Sequence, residues 1–288
     1  MKNQLKTILL LGTLSALLIA IGGWLGSGYL YGFAALALIM NVGAYFFSDR
    51  IVLALHHARQ LSPAEAPDLH RIVEDIAHAA KIPKPRLFVV PEAQPNAFAT
   101  GRNPEHGVVA VTEGIVDLLS ERELRGVLAH EMAHIRNRDI LVATIAAGRA
   151  AAVTYVVHAA HFSALFGGRS DDEDGHGSVL GNILLVLVAP IAATVIQLGI
   201  SRSREYMADE TGAGLTGDPE GLARALEKMQ SAVHRIPAQV EPATASLFIV
   251  SPLAGGRSLM NLFSTHPVME ERIRRLRGLV AVNERVPA

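Results

Sequence analysis

Cysteine is absent from the 288 residues of this chain. Its absence excludes disulfide bonds, thiol catalysis and thiolate zinc ligands, so only His, Asp and Glu remain to bind a metal. The chain also lacks an excess of basic residues. Its 26 basic and 27 acidic residues give a formal net charge of −1, which argues against nucleic-acid binding. Half of the residues are hydrophobic, and the mean hydropathy of +0.30 is high for a soluble enzyme. The composition therefore favours a membrane environment and leaves sulfur-free metal chemistry open.

Charge is missing altogether from Thr7 to Ser48, a run of 42 positions. A helix that spans a bilayer needs about 20 residues. Gly26–Gly28 lies near the middle of the run and predicts a turn, so the sequence indicates a helical hairpin of residues 7–25 and 29–47. A cleaved signal peptide is the alternative, but it would not explain the second apolar segment.

Two more apolar segments follow, at Ile140–Phe166 and Ser178–Ser201. The first contains Arg149, which would cost about 2.5–3.5 kcal/mol near the centre of a membrane helix and would have to face a partner. Membrane insertion is the prediction, and a buried soluble hairpin is the alternative. The connection Gly167–Gly177 is rich in glycine and acidic residues, which is typical of a flexible, solvated loop.

The basic residues cluster at the ends of the apolar segments that lie away from the two short loops. They are Lys2, Lys6, Arg50, Arg59, Arg136, Arg138, Arg202 and Arg204. By the positive-inside rule, both chain termini lie in the cytoplasm and both short loops lie outside. The expected location is therefore the plasma (inner) membrane, crossed several times.

Residues 130–134 have the form H-E-x-x-H. On a helix His130 and His134 lie on one face and can bind one zinc ion, while Glu131 lies where its carboxylate reaches the metal-bound water. Ser120 and Glu123 have the spacing of a capping box, which predicts the start of that helix. The alternative is an amphipathic helix that carries two incidental histidines.

A catalytic zinc site needs a third protein ligand and an open position. Glu205 and Asp209 follow the fourth apolar segment and, four residues apart, share a helical face. Glu205 could bind zinc, and Asp209 could accept a hydrogen bond from the far nitrogen of a ligand histidine. The alternative is a solvated acidic face, because Glu210 is the next residue.

Between these motifs the patterning predicts a mostly helical chain with a small sheet. The predicted helices are residues 63–78 and two that start at Asp218–Pro219 and near Pro267, and the predicted strands are residues 86–90, 97–100 and 107–112. Residues 236–258 show no clear periodicity.

The combination of motifs resembles the HtpX group of membrane zinc metalloproteases, which are relatives of the CAAX prenyl proteases. Glu205–Asp209 matches Glu-x-x-Ala-Asp and follows the H-E-x-x-H motif after two apolar segments. Asn96–Gly101, Ser264–Pro267 and Arg272–Ile273 match further motifs, so the resemblance covers nearly the whole chain.

The resemblance implies one Zn²⁺ per chain, with ligands His130, His134 and Glu205 and with Glu131 as the catalytic base. It also implies an integral membrane endopeptidase that faces the cytoplasm and degrades misfolded or damaged membrane proteins during stress. The expected fold is an α-helical integral membrane protein with a zincin-like α+β catalytic domain. The expected domains are transmembrane hairpins at 1–48 and 140–200 and two parts of the catalytic domain at 49–139 and 201–288.

Several roles stay open at this point. His266 is a candidate stabiliser of the oxyanion, and the alternative is a helix N-cap beside Pro267. Arg272 could pair with Asp209 or lie on a basic surface. Asn96 could bond the substrate backbone through its amide, or simply make a turn.

Ala97, Phe98 and Ala99 follow Asn96 in the predicted strand and could supply or adjoin a substrate-binding sheet edge; an ordinary core strand is the alternative. The expected partners are polypeptides, mainly membrane proteins, and the lipid bilayer, while the sequence gives no oligomeric state. A membrane scaffold or holdase with a structural metal is the alternative function. Structural zinc sites usually have four protein ligands, whereas only three emerge here beside a potential base.

Overall fold

The computed structural model describes most of the predicted catalytic domain and the second half of the first hairpin. The described residues are 26–141, 143–145, 202–233, 235–236, 244–250 and 268–283, with isolated positions between 12 and 23. Most of the predicted second hairpin, the whole acidic loop 167–177 and His266 lie outside the described residues.

Helices dominate the described part of the chain. They are α1 (Ser27–Leu55), α2 (Pro67–Ala80), α3 (Glu113–Leu118), α4 (Glu121–Arg136), α5 (Arg202–Thr216), α6 (Pro219–Val233) and α7 (Met269–Asn283). The strands are β1 (Arg59–Gln60), β2 (Arg86–Val90), β3 (Ala97–Thr100) and β4 (Val108–Thr112), with single 3₁₀ turns at Pro104–His106 and Ala245–Leu247. The prediction of a mostly helical chain with a small sheet is confirmed.

The four strands form one sheet in the order β1-β2-β4-β3. β2 and β4 are parallel, whereas β1 and β3 are antiparallel to their neighbours. β3 is therefore an edge strand, although all four of its residues are buried. These residues are buried because both faces of the sheet are covered. Helices α2, α4 and α6 cover one face, and the end of α1 covers the other together with residues 247–248.

The core follows from the alternation of side chains along the strands. Ala97 and Ala99 join the larger core, which is built with α2, α4 and α6. Phe98, between them, points to the opposite face and packs with Phe248 and the end of α1. This double-sided burial explains why the strand reads as a continuous run of apolar residues rather than an alternating one.

Helix α1 is longer than the predicted segment 29–47. It continues to Leu55 because Val52 and Leu53 pack on the sheet, while Asp49 is satisfied by Arg86 at 3.1 Å. Among the described residues, no single helix is both long enough and apolar enough to cross a bilayer. The two parts of α1, Gly28–Gly43 and Tyr45–Leu55, meet at a bend of 68° and have the required length and composition only when they are taken together.

Helix α2 begins four residues later than predicted. Ser62 to Glu65 form a turn in which the Glu65 carboxylate accepts a hydrogen bond from the Ser62 backbone N–H at 2.8 Å. The helix then runs to Ala80 and ends at Lys81, whose φ of 56° is left-handed. The predicted starts of α6 and α7 lie within two residues of the observed ones.

Candidate active site

Helix α4 presents the two histidines of the H-E-x-x-H motif to helix α5. Its start is fixed by the predicted capping box, in which Ser120 and Glu123 exchange hydrogen bonds. One turn apart, His130 and His134 bring their Nε2 atoms within 3.2 Å of each other. His130 is completely buried, while the His134 side chain keeps 16% of its surface exposed, so the pair is reached by solvent only at His134.

Helix α5 adds a carboxylate to this pair. The Glu205 Oε2 atom lies 3.6 Å from His130 Nε2, and Oε1 lies 3.6 Å from His134 Nε2. A tetrahedral zinc ion with bonds of about 2.0–2.1 Å separates neighbouring ligand atoms by roughly 3.3 Å. The three residues therefore have the donor types and the spacing that suit a metal ion.

A carboxylate also holds the far nitrogen of each histidine. His130 Nδ1 lies 2.9 Å from Asp209 Oδ1, and His134 Nδ1 lies 3.2 Å from Asp139 Oδ2. Each Nδ1–H can donate to its carboxylate, which leaves both Nε2 lone pairs directed at the space between the rings and Glu205. This is the outer arrangement that fixes the tautomer and orientation of metal-binding histidines.

Asp139 is a site residue that the sequence alone did not indicate. It reaches His134 because Arg138 adopts a left-handed φ of 56° and turns the chain back at the end of α4. The sequence signal was an acidic residue five positions after the second histidine, but that spacing has meaning only once the turn is known.

Arg272 of α7 is fully buried beneath the cluster. Its Nη2 and Nε atoms donate to the two carboxylate oxygens of Asp209 at 2.7 and 2.9 Å. The remaining Nη1 donates to the Ile249 carbonyl at 3.0 Å. Of the two alternatives left by the sequence, the structure has the ion pair with Asp209, while the neighbouring Arg274 and Arg275 are exposed.

The electrostatics of the cluster favour a cation. Burial would raise the pKa of Glu205, but the interaction with His130 and the charges of His134 and Arg272 hold it well below the usual range. Burial would lower the pKa of His134, yet Asp139, Glu205 and Glu131 together raise it to about 9. The pKa of Glu131 is raised, mainly by its burial. The cluster thus carries an excess of buried carboxylates, which a divalent ion would offset.

Comparison with known proteins identifies the family of the chain. The model of peptidase family M48 matches residues 63–280, which include the whole described cluster. The chain belongs to peptidase family M48. M48 relatives extend over nearly the full length: the chain is 55% identical to the Protease HtpX homolog of Syntrophobacter fumaroxidans, with 97% of this chain and 100% of the relative covered.

A second M48 relative is the Protease HtpX homolog of Pyrococcus furiosus, which is 52% identical, with 95% of each chain covered. Among solved structures, Ste24p of S. mikatae shares the fold, with a TM-score of 0.51 and 20% identity. The chain spans 64% of the length of that protein, which in turn covers 95% of this chain. The resemblance predicted from the motifs is confirmed: the chain is a membrane metalloprotease of family M48.

Asn96 directly precedes β3, in the motif that comes before helix α4 in the sequence, and is 2% exposed. Its amide nitrogen donates to the Val250 carbonyl at 2.7 Å, and its amide oxygen accepts from the Val250 N–H at 3.2 Å. The same oxygen accepts from the Ala97 N–H at 3.2 Å. The Asn96 side chain is therefore engaged by the chain itself.

Proposed function

We propose that this chain is a zinc-dependent endopeptidase in which His130, His134 and Glu205 hold one Zn²⁺ and Glu131 is the general base. One observation carries the proposal. The two histidine Nε2 atoms lie 3.2 Å apart, each lies 3.6 Å from an oxygen of the Glu205 carboxylate, and a further carboxylate contacts the far nitrogen of each histidine. A structural zinc site usually has a fourth protein ligand, whereas the candidate metal site among the described residues has three.

When bound, zinc supplies a Lewis acid that polarises the scissile carbonyl and makes water a stronger acid. Glu131 follows His130 on α4, and its buried carboxylate has a raised pKa. A raised pKa improves a carboxylate as a proton acceptor. Glu131 takes the proton of the attacking water and passes it to the leaving amine. His266 is the proposed donor to the oxyanion, although it lies outside the described residues.

Proteolysis and metal dependence test this function together. The purified, detergent-solubilised protein is expected to cleave casein as an unfolded substrate, to stop when a chelator removes the metal, and to recover with zinc but not with magnesium. A holdase with a structural metal would bind casein without cutting it. Cleavage that persists in protein shown by mass spectrometry to be metal-free would contradict the proposal.

We further propose that the substrate pairs with the edge of β3. The Ala97 carbonyl accepts from the Ile249 N–H at 3.1 Å and therefore points away from β4. Backbone groups two residues apart in an antiparallel strand point the same way, so the N–H and C=O of Ala99 also point outward. β3 contacts α4, the helix that carries His130 and His134, and this contact supports a substrate edge near the two histidines.

Replacement of Ala99 by proline removes the outward N–H. Loss of one backbone hydrogen bond to substrate is worth about 1 kcal/mol, so we expect casein cleavage to fall roughly fivefold to tenfold with zinc content unchanged. Ala99→Ser keeps the N–H and should cleave normally. If both variants match the wild type at equal thermal stability, the substrate binds elsewhere.

The proposed topology has transmembrane hairpins at 1–48 and 140–200 and places the parts 49–139 and 201–288 together in the cytoplasm. His130 and Glu205 lie on opposite sides of segment 140–200, and their contact requires both parts to be on one side of the membrane. Helix α1 also exposes apolar side chains that suit a lipid environment. These are Phe46, Phe47, Ile51 and Leu55.

Proposed substrates are misfolded or damaged membrane proteins.

Because the chain has no cysteine, single introduced cysteines report this topology cleanly. A cysteine at Ser170 is expected to react with a membrane-impermeant maleimide added to intact cells, and one at Ser201 is expected to react only after the cells are lysed. The opposite pattern would reverse the orientation. Protection of both positions would favour a hairpin that does not cross the bilayer.

A further inference from the structure

Residues 244–250, here called the edge segment, run beside the start of β3. The Ile249 N–H bonds the Ala97 carbonyl at 3.1 Å, and the Asn96 amide bonds both backbone groups of Val250 at 2.7 and 3.2 Å. The Asn96 side chain thus supplies the donor and acceptor that another strand residue would supply. At the other end of the segment, Thr244 Oγ1 lies 2.8 Å from His56 Nε2.

The edge segment also touches the buried arginine behind the metal cluster. The Ile249 carbonyl accepts from Arg272 Nη1 at 3.0 Å, while the other two donors of that guanidinium hold Asp209. Asp209 in turn holds His130 Nδ1 at 2.9 Å. Buried hydrogen bonds on both sides of the Ile249–Val250 peptide group therefore join Asn96 to a proposed zinc ligand.

The same Arg272 Nη1 has a second acceptor within reach. Glu205 Oε2 lies 3.7 Å from it, which is too long for a hydrogen bond but close for an ion pair. A guanidinium that lost the Ile249 carbonyl would satisfy its freed N–H with this carboxylate, because an unpaired buried charge is costly. Glu205 would then share its charge with Arg272 and bind metal less tightly.

We propose that Asn96 is a positioning residue for the metal site, acting through the edge segment. By fixing Val250, it holds the Ile249 carbonyl against Arg272, keeps the guanidinium on Asp209 and leaves Glu205 available to the metal. The inference rests on the proposed function, since it presumes that His130 and Glu205 bind zinc. It assigns Asn96 to support of the metal site and leaves substrate pairing to Ala99.

The rate at which a chelator removes zinc tests this role without an activity assay. Changes in residues behind metal ligands typically weaken metal binding roughly 10–100-fold. Arg272→Lys keeps the charge but cannot reach both Asp209 and Ile249, and zinc loss should accelerate about tenfold or more. Asn96→Ala, one step further away, should accelerate it about threefold to tenfold. Thr100→Val is the matched control, since it removes a buried hydrogen bond to Thr144 from the same strand and should leave the rate unchanged.

The double variant Asn96→Ala/Arg272→Lys separates a shared route from two independent effects. We expect its zinc loss to match that of Arg272→Lys within about twofold. Rates that multiply, or an Asn96→Ala rate equal to that of the wild type, would overturn the inference while the proposed function stands. A wild type that never retains one zinc per chain would instead overturn the proposed function.

If Asn96→Ala does not fold, amide hydrogen exchange in Arg272→Lys tests the link between Arg272 and the edge segment instead. Loss of the Ile249 carbonyl contact should raise exchange at the amides of the edge segment by about tenfold, whereas β2 and β4 should remain protected. Unchanged protection of Ile249 and Val250 would show that the edge segment and Arg272 are not linked, and the inference would fail.

Discussion

Glu131→Gln is expected to keep its zinc and to lose peptide hydrolysis by roughly 10²–10⁴-fold, the usual contribution of a general base. Glutamine has the same shape as glutamate but cannot accept the proton of water at neutral pH. Glu131 is buried beside the two histidines, yet the group of possible ligand atoms comprises His130, His134 and Glu205. The change should therefore alter proton transfer without altering metal content.

Casein cleavage and zinc content by mass spectrometry check this result on one sample. Glu121→Gln is the matched control, because Glu121 lies on the same helix but is exposed and pairs with Arg71. It should retain normal activity. Near-normal cleavage by Glu131→Gln would remove that residue from the mechanism.

Glu205→Ala has the second large expected effect, the loss of zinc itself. Two histidines leave the ion with too few protein contacts, and the substitution removes the carboxylate that lies 3.6 Å from the Nε2 atom of each histidine. We expect zinc affinity to fall by more than the roughly 10–100-fold that Asp209→Ala should cause by disturbing the orientation of His130. Proteolysis should then be undetectable without added zinc.

Zinc retained during chelator challenge measures both variants. Glu210→Ala removes the same charge from the exposed side of α5 and should behave as the wild type. If Glu205→Ala retains one zinc per chain as firmly as the wild type, the third ligand is another residue.

The part of the site that follows helical spacing could be predicted from the sequence. His130 and His134 share a face because they are four residues apart, and Glu205 and Asp209 share a face for the same reason. The capping box at Ser120 predicted the start of α4, and in the structure the histidine face of α4 contacts the carboxylate face of α5.

The parts that depend on tertiary contact could not be predicted. Asp139 reaches His134 only through a left-handed turn, and the edge segment had no periodicity to indicate that it follows β3. The approach of the two site helices depends on Gly212, where a Cβ atom would lie 2.9 Å from the His130 backbone nitrogen. A glycine within a helix is a weak signal by itself, because it marks close packing only when the neighbouring helix is known.

Zinc K-edge X-ray absorption of the detergent-solubilised protein tests the central claim most directly. The proposed site predicts a four-coordinate zinc with two imidazole nitrogens at about 2.0–2.1 Å and with carboxylate and water oxygens completing the shell. The imidazole scattering should halve in a zinc-reloaded His134→Ala sample. A shell of six oxygens without imidazole scattering, or imidazole scattering that His134→Ala leaves unchanged, would contradict the assignment of His130, His134 and Glu205 as the zinc ligands.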